Sequence, residues 1–208
     1  MSSDNGDLTA RARIREAAID LFAERGIGPA SIRDIAERAG VSSGLLRHHF
    51  GSKVGLRDAC DEFAMARMNE LRDRIMGPSA PADPALLGAM HPHALRLQTY
   101  LVKSMMEGTS TALFDAAMES GRTWAMHADI ETDDLDAWLA TMIALKIGLF
   151  TMRDQVGRVL GEDMNTTTGF RRMVRASIEI FGRPIITPEQ TEQVLKALDS
   201  LYPLEEQQ

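Results

Sequence analysis

Arg47, His48 and Lys53 fall within the eight-residue stretch Leu46-Arg47-His48-His49-Phe50-Gly51-Ser52-Lys53, shortly after the small residues Ser42-Ser43-Gly44. A guanidinium donates two parallel hydrogen bonds to a planar acceptor edge, such as guanine presents in the major groove. An ammonium suits a phosphate, which orients a protein on a duplex without reading its sequence. Small residues beside such groups let the backbone come close to base edges. The chemistry on offer is contact with nucleic acid.

The elements needed to position these groups are written around them. Ser31 stands where a helix N-cap belongs, and Asp34 three residues later gives a capping box with Asp in place of Glu or Gln. Ile32, Ile35, Ala36 and Ala39 recur at helical spacing, so one face is buried. Ala36 is small enough for another helix to cross closely. Gly40 falls just past the last periodic residue, where a helix stop takes a left-handed conformation. Val41 can plug the corner and Ser42 caps a second, short helix. There Leu46 and Phe50, one turn apart, point to the core. Ser43 and Arg47 then point out, flanked by Gly44, Leu45 and His48. The pattern is a helix-turn-helix, whose second helix enters the major groove. An ordinary helical hairpin with a surface Arg and two surface His is the plainer reading. Its parts are common singly, but not together at these spacings.

The segment resembles the TetR family of bacterial transcriptional regulators. The resemblance is carried by Ile14-Arg15-Glu16-Ala17-Ala18-Ile19-Asp20-Leu21-Phe22-Ala23-Glu24-Arg25-Gly26, by Ser31 to Ala36, by Ala39 to Gly44, and by Leu46, His48-His49-Phe50 and Ser52-Lys53. It covers about the first 60 residues; beyond them only the helical layout is similar. It implies a phosphate contact for His49 and a base or backbone contact for Leu45. The family usually has Tyr at the position of Arg47, so Arg47 is the departure on the reading surface. The expected DNA-facing set is Ser31, Ser42, Ser43, Gly44, Leu45, Arg47, His48, His49 and Lys53.

The net charge of −7 runs against DNA binding until it is divided. Residues 1–57 hold nine Lys or Arg against seven Asp or Glu, whereas residues 58–208 hold fourteen against twenty-three. A basic head on an acidic body docks in one orientation, because phosphates repel the body. The polar, acidic Met1 to Asp7 is unlike a signal peptide. The longest apolar stretch, Ala137 to Met152, is too short for a membrane span and contains Lys146. Cys60 is alone, so no intrachain disulfide forms. A cytoplasmic protein without membrane contact is expected.

The fold class expected is all-α: a three-helix DNA-binding head with a helix-turn-helix, plus a C-terminal helical ligand-binding and dimerisation body. The bounds are a disordered tail at 1–8, the head at 9–51, the body at 52–202 and a tail at 203–208. Helices are predicted at about 9–25, 52–76, 85–106 (with a break possible at Pro92), 109–127, 133–160, 166–182 and 188–202. The Pro-rich stretch Gly77 to Pro84 is a loop within the body. From 137 to 150 the chain is apolar nearly all round, so burial on more than one side is expected. Ala140, Ala144 and Gly148 form a row of small residues at spacing four, and Phe170, Met173, Val174, Ser177 and Phe181 form a matching stripe. The resemblance implies that these two helices pair with those of a second subunit, placing Ala144, Gly148, Phe170, Val174 and Phe181 in a dimer interface; core helices of a monomer are the alternative.

All methionines but Met1 lie after residue 64. Flexible, polarizable side chains suit either an irregular core or an adaptable cavity. The resemblance favours a cavity for a hydrophobic effector, with Phe63, Met68, Tyr100, Met105, Met118, Trp124, Trp138 and Met142 as candidate walls. His91, His93 and His127 with the acids of 129–134 lack metal-ligand spacing, and acids ahead of a helix suit its dipole. No phosphate loop, nucleophile elbow or ligand series is present, so neither enzyme activity, metal nor cofactor is expected. The function expected is a homodimeric regulator, a ligand-released repressor on a palindromic operator of double-stranded DNA. The alternative is a helical dimeric scaffold or small-molecule-binding protein without DNA binding, with an all-α enzyme ranked below it.

Overall fold

The computed structural model describes residues 2–76, 84–108, 111–128, 130–183 and 185–202, and among these every regular element is a helix. They are α1 (Ser2–Arg25), α2 (Ile32–Ala39), α3 (Ser43–Phe50), α4 (Lys53–Met76), α5 (Pro84–Glu107), α6 (Ala112–Ala125), α7 (Leu135–Thr151), α8 (Arg153–Leu160), α9 (Thr167–Phe181) and α10 (Pro188–Leu201). No single helix among the described residues is long and apolar enough to cross a membrane. The tail expected at 203–208 lies outside the described residues.

Several expected bounds shift. Helix α1 begins at Ser2 rather than after a disordered tail at 1–8. Asp4 and Asp7 fall in its first two turns, where acidic residue types suit the positive end of the helix dipole. Helix α5 runs unbroken through position 92. The single helix expected over 133–160 is instead two, interrupted at Met152, whose backbone (φ −94°, ψ 12°) leaves the helical region. Just before the break, the Thr151 hydroxyl donates to the Ile147 carbonyl at 2.8 Å. Such back-bonding competes with the helix ladder and bends helices.

The chain forms two compact units, Met1–Arg153 and Asp154–Gln208. In the first, one apolar cluster is continuous from head to body. Ile14, Ala18, Ile19, Leu21 and Phe22 of α1 meet Ile35 and Ala36 of α2, Leu46 and Phe50 of α3, and Leu56, Cys60 and Ala64 of α4. Leu97, Tyr100 and Leu101 of α5 and Leu113 of α6 complete it. Helix α1 therefore has a face for the helix-turn-helix and a face for α5, and the division between compact units does not fall at 51/52. Full burial of a Leu or Ile contributes about 1.5–3 kcal/mol, so this cluster dominates the energetics of the unit.

Polar groups tie the same helices together. Arg96 of α5 reaches back to α1, pairing with Asp20 at 2.7 Å and Glu16 at 2.5 Å. Asp61 of α4 accepts from the Tyr100 hydroxyl at 2.6 Å and the Ser104 hydroxyl at 2.8 Å. Burial pushes the Asp61 carboxyl above its ordinary value, against the lowering effect of those hydrogen bonds.

In the second unit, Thr166 caps α9 by accepting from the Gly169 amide at 3.1 Å, and Thr187 and Gln190 form a capping box on α10. Few side chains are covered. Met164 and Met173 are buried, whereas α10 buries none.

Candidate nucleic-acid interface

The turn is built as the residue types predict. The Ser31 hydroxyl accepts from the Asp34 amide at 3.1 Å, and the Asp34 carboxylate accepts from the Ser31 amide at 3.2 Å. These bonds, the Ser31 side chain first, hold the Asp34 carboxyl below its usual range. At the other end of α2, Gly40 is left-handed (φ 64°). Its amide donates to Glu37, and the Val41 amide donates to Ala36, which satisfies carbonyls that a helix end otherwise leaves open. Ser42 then caps α3, accepting from the Leu45 amide at 3.1 Å. Leu46 and Phe50 are buried and Val41 packs against the core.

Arg13 of α1, which the spacing did not single out, holds this corner. Its guanidinium donates to the carbonyl of Ala39 and, at 3.0 Å, to that of Gly40. A cation at the C-terminal end of α2 also suits the helix dipole. The only sequence signal is the alternation Arg11-Ala12-Arg13-Ile14-Arg15, and the partner carbonyls are too distant in the chain for spacing to find. Arg11 lies over the Phe50 ring, 5.4 Å from its centroid, adding a further cation beside α3. Arg38 makes a two-pronged contact with Glu24, at 2.7 and 2.9 Å, fastening α2 to α1.

The expected DNA-facing residues gather on this one corner but not on equal terms. Ser31, Ser42, Gly44, Arg47 and His48 are exposed. Leu45 and His49 are half-buried, as is Ser43, which the spacing placed outward. Lys53 is half-buried too, and its ammonium donates to the Gly28 carbonyl at 2.8 Å. It therefore braces the loop between α1 and α2 while standing at the start of α4. The surface is a short helix with an open N-terminal end, one free-standing guanidinium position and an imidazole beside it. Such groups have the chemistry to donate hydrogen bonds to base edges and phosphates.

Of the candidate wall residues, Phe63, Met68, Tyr100 and Met105 lie in or against the apolar cluster of the first unit. A cleft of about 400 Å³ lies among α1, α4 and α5, lined by Phe63, Met68, Leu71 and Leu97 together with Arg67, Arg74, Arg96 and His93. Of the expected walls only Phe63 and Met68 line it. Tyr100 is sealed in the core, where its ring stacks on Phe22 with centroids 6.0 Å apart. Met105 packs against that core, and Met118 is buried on α6. Trp124 of α6 and Trp138 and Met142 of α7 are half-buried. Helix α7 buries only Leu139 and Phe150 and leaves Ala144, Leu145 and Gly148 exposed, so within one chain it is covered on one side rather than several. On α9, Phe170 and Val174 are half-buried, and Ile178 and Phe181 are exposed. Among the described residues no group of three or more His, Cys, Asp or Glu is placed to hold a metal ion. His91 and Asp129 lie outside what is described of side chains.

Comparison with known proteins agrees with this head. RaaS of Mycobacterium tuberculosis, an HTH-type transcriptional regulatory protein, is 44% identical over 108 residues, covering 52% of this chain and 50% of its own length. The HTH-type transcriptional repressor KstR2 of Rhodococcus jostii is 44% identical over 54 residues, 26% of each chain. The chain thus spans about half of the first relative and a quarter of the second. The crystal structure of a tetR-family transcriptional regulator from Streptomyces coelicolor shares the fold, with a TM-score of 0.54 at 21% identity over 92% of this chain and 96% of that one. Residues 14–60, which contain the capped turn together with Arg47, His48 and Lys53, match the bacterial regulatory proteins of the tetR family.

Proposed function

We propose that the protein is a DNA-binding transcriptional regulator, acting as a repressor in the cytoplasm and binding a palindromic operator as a homodimer. The observation that carries the reading is the doubly capped corner of α2 and α3, with Arg47 and His48 exposed on the short second helix. Arg47 is the base-reading residue. Ser43, Gly44 and Leu45 form the close-approach end of α3, and Ser31, Ser42, His48, His49 and Lys53 contact the backbone. Two copies are needed because one short helix reads too few base pairs, and a two-fold operator asks for a two-fold protein. For the second copy, α7 offers Ala144 and Gly148 and α9 offers Phe170, Val174 and Phe181, each helix being only partly covered within one chain.

A hydrophobic small molecule releases the operator. It acts only if it binds the DNA-competent and released conformations with different affinity. The half-buried Met and Trp side chains of α6 and α7 offer adaptable walls for it, and the cleft against Phe63 and Met68 offers another. Selection from random oligonucleotides tests the regulator reading: a preferred two-fold site supports it and no preferred site removes it. On that site Arg47→Ala should lower affinity by roughly 1–3 kcal/mol and relax preference at one position of each half-site. An equal loss on all sequences would make Arg47 a phosphate contact.

A further inference from the structure

The last turn of α5 grips the loop that joins α1 to α2. The Glu107 carboxylate accepts from the Ile27 amide at 2.7 Å and also faces the Gly28 amide at 3.4 Å. One turn earlier on the same helix, the Lys103 ammonium donates to the Glu24 carbonyl at 3.3 Å. A cation thus meets a carbonyl at the end of α1, and an anion meets the amides that follow it. Gly26 makes the fit possible: its backbone is left-handed (φ 93°), and a Cβ there would lie 2.7 Å from a Glu107 oxygen. The Gly28 carbonyl of this loop is in turn the acceptor for Lys53 at the start of α4. The loop is the point where α5 of the body, the C-terminal end of α1 and the N-terminal end of α4 converge.

We propose that Glu107 is a positioning residue for DNA binding: it fixes the α1–α2 loop and, through the Gly28 carbonyl, the start of α4, and so sets the attitude of the recognition helix α3 relative to the body. The proposal rests on the regulator reading above. It adds to the other holds of α5 on the head, Arg96 on Glu16 and Asp20 and the apolar packing of Leu97, Tyr100 and Leu101, a contact made of backbone amides and one carboxylate. Because consecutive amides in such a turn form a concave anion-binding site, the contact depends on the carboxylate and not on packing. It breaks without opening the apolar core.

Charge alone predicts the opposite sign. Removing an acidic group from a protein that binds phosphates should strengthen binding to every DNA. Loss of a positioning contact should weaken binding to the selected site only. The test uses the full-length protein and the operator obtained by selection, with binding to that operator and to unrelated DNA measured for wild type, Glu107→Gln and Glu107→Ala. Amide hydrogen exchange at Ile27 and Tm are recorded for each. The expected result for Glu107→Ala is an affinity for the operator about fivefold weaker, from loss of a charged hydrogen bond at a solvent-facing site. Binding to unrelated DNA should be unchanged or tighter, with faster exchange at Ile27 and little change in Tm. Glu107→Gln, which keeps an acceptor, should recover part of the operator affinity. Operator binding equal to or tighter than wild type overturns the proposal, as does an equal loss on all DNA accompanied by a fall in Tm, or unchanged exchange at Ile27. Failure of the wild type to select any site sinks the regulator reading itself and the DNA role of Glu107 with it. A wild type that selects a site, with variants that match it, sinks only the positioning role.

Discussion

The head of the molecule and its last two helices solve the burial problem in opposite ways. In the head, each short helix puts its apolar face onto α1: Ile35, Ala36 and Ala39 from α2, Leu46 and Phe50 from α3. In the unit Asp154–Gln208, α10 buries nothing, and Val194, Leu195, Leu198 and Leu201 stay in solvent. A helix of eight residues has little stability of its own and persists because packing holds it. The head is therefore complete within one chain. The last helices also carry apolar periodicity, but α9 covers only its Met173 side and α10 covers none.

The comparison breaks most readily at Leu46. Leu46→Ala should cost about 2–5 kcal/mol in chemical denaturation, because it empties a fully buried site, whereas Leu198→Ala should stay within roughly 0.5 kcal/mol for the monomer. Equal costs would erase the distinction drawn here. Next in size is association. Phe181→Glu should weaken self-association at least about 30-fold in sedimentation, as for a central interface residue, while the helical content of the head is kept. If the variant sediments as the wild type, α9 does not form the contact. Loss of the α3 cap is smaller, with Ser42→Ala costing about 1 kcal/mol in thermal unfolding and lowering operator affinity through fraying of α3.

The smallest effect is a pH dependence at the seam between head and body. Burial raises the folded-state value of Asp61 above its unfolded value, so its contribution to stability is fully present below the ordinary carboxylate value. That contribution is lost as pH rises through the raised one. The Tm of wild type relative to Asp61→Asn should therefore become less favourable between about pH 4 and pH 7. A difference that is flat, or that moves the other way, would show that the hydrogen bonds from Tyr100 and Ser104 outweigh desolvation.

Local chemistry made the corner readable from the residues alone. Ser31, Asp34, Gly40 and Ser42 act on backbone groups three or four residues away, so their spacing is itself the geometry. What acts across the chain was not readable. Arg13 on the Gly40 carbonyl, Glu107 on the Ile27 amide and Lys53 on the Gly28 carbonyl join residues 25 or more apart. No periodicity marks them. The Lys53 case shows the risk, since a residue assigned by type to a phosphate is also engaged with the loop. Helix existence was largely readable, but the break at Met152 was not, because the apolar periodicity runs on across it and Gly148 and Thr151 are common inside helices that do not break. The pocket was the least readable. Methionines and aromatics at helical spacing serve core and cavity equally, and Tyr100 proved to belong to the core.

Cys60 is the sole thiol of the chain, and it is buried in the cluster where α1, α4 and α5 meet, with burial pushing its pKa upward. A thiol that is both enclosed and protonated reacts only when its surroundings open. The sequence has thus placed a single built-in chemical clock at the junction of head and body. The rate at which a thiol reagent labels native protein reads how often that junction breathes, and any molecule that tightens or loosens it changes the rate without the need for an added probe.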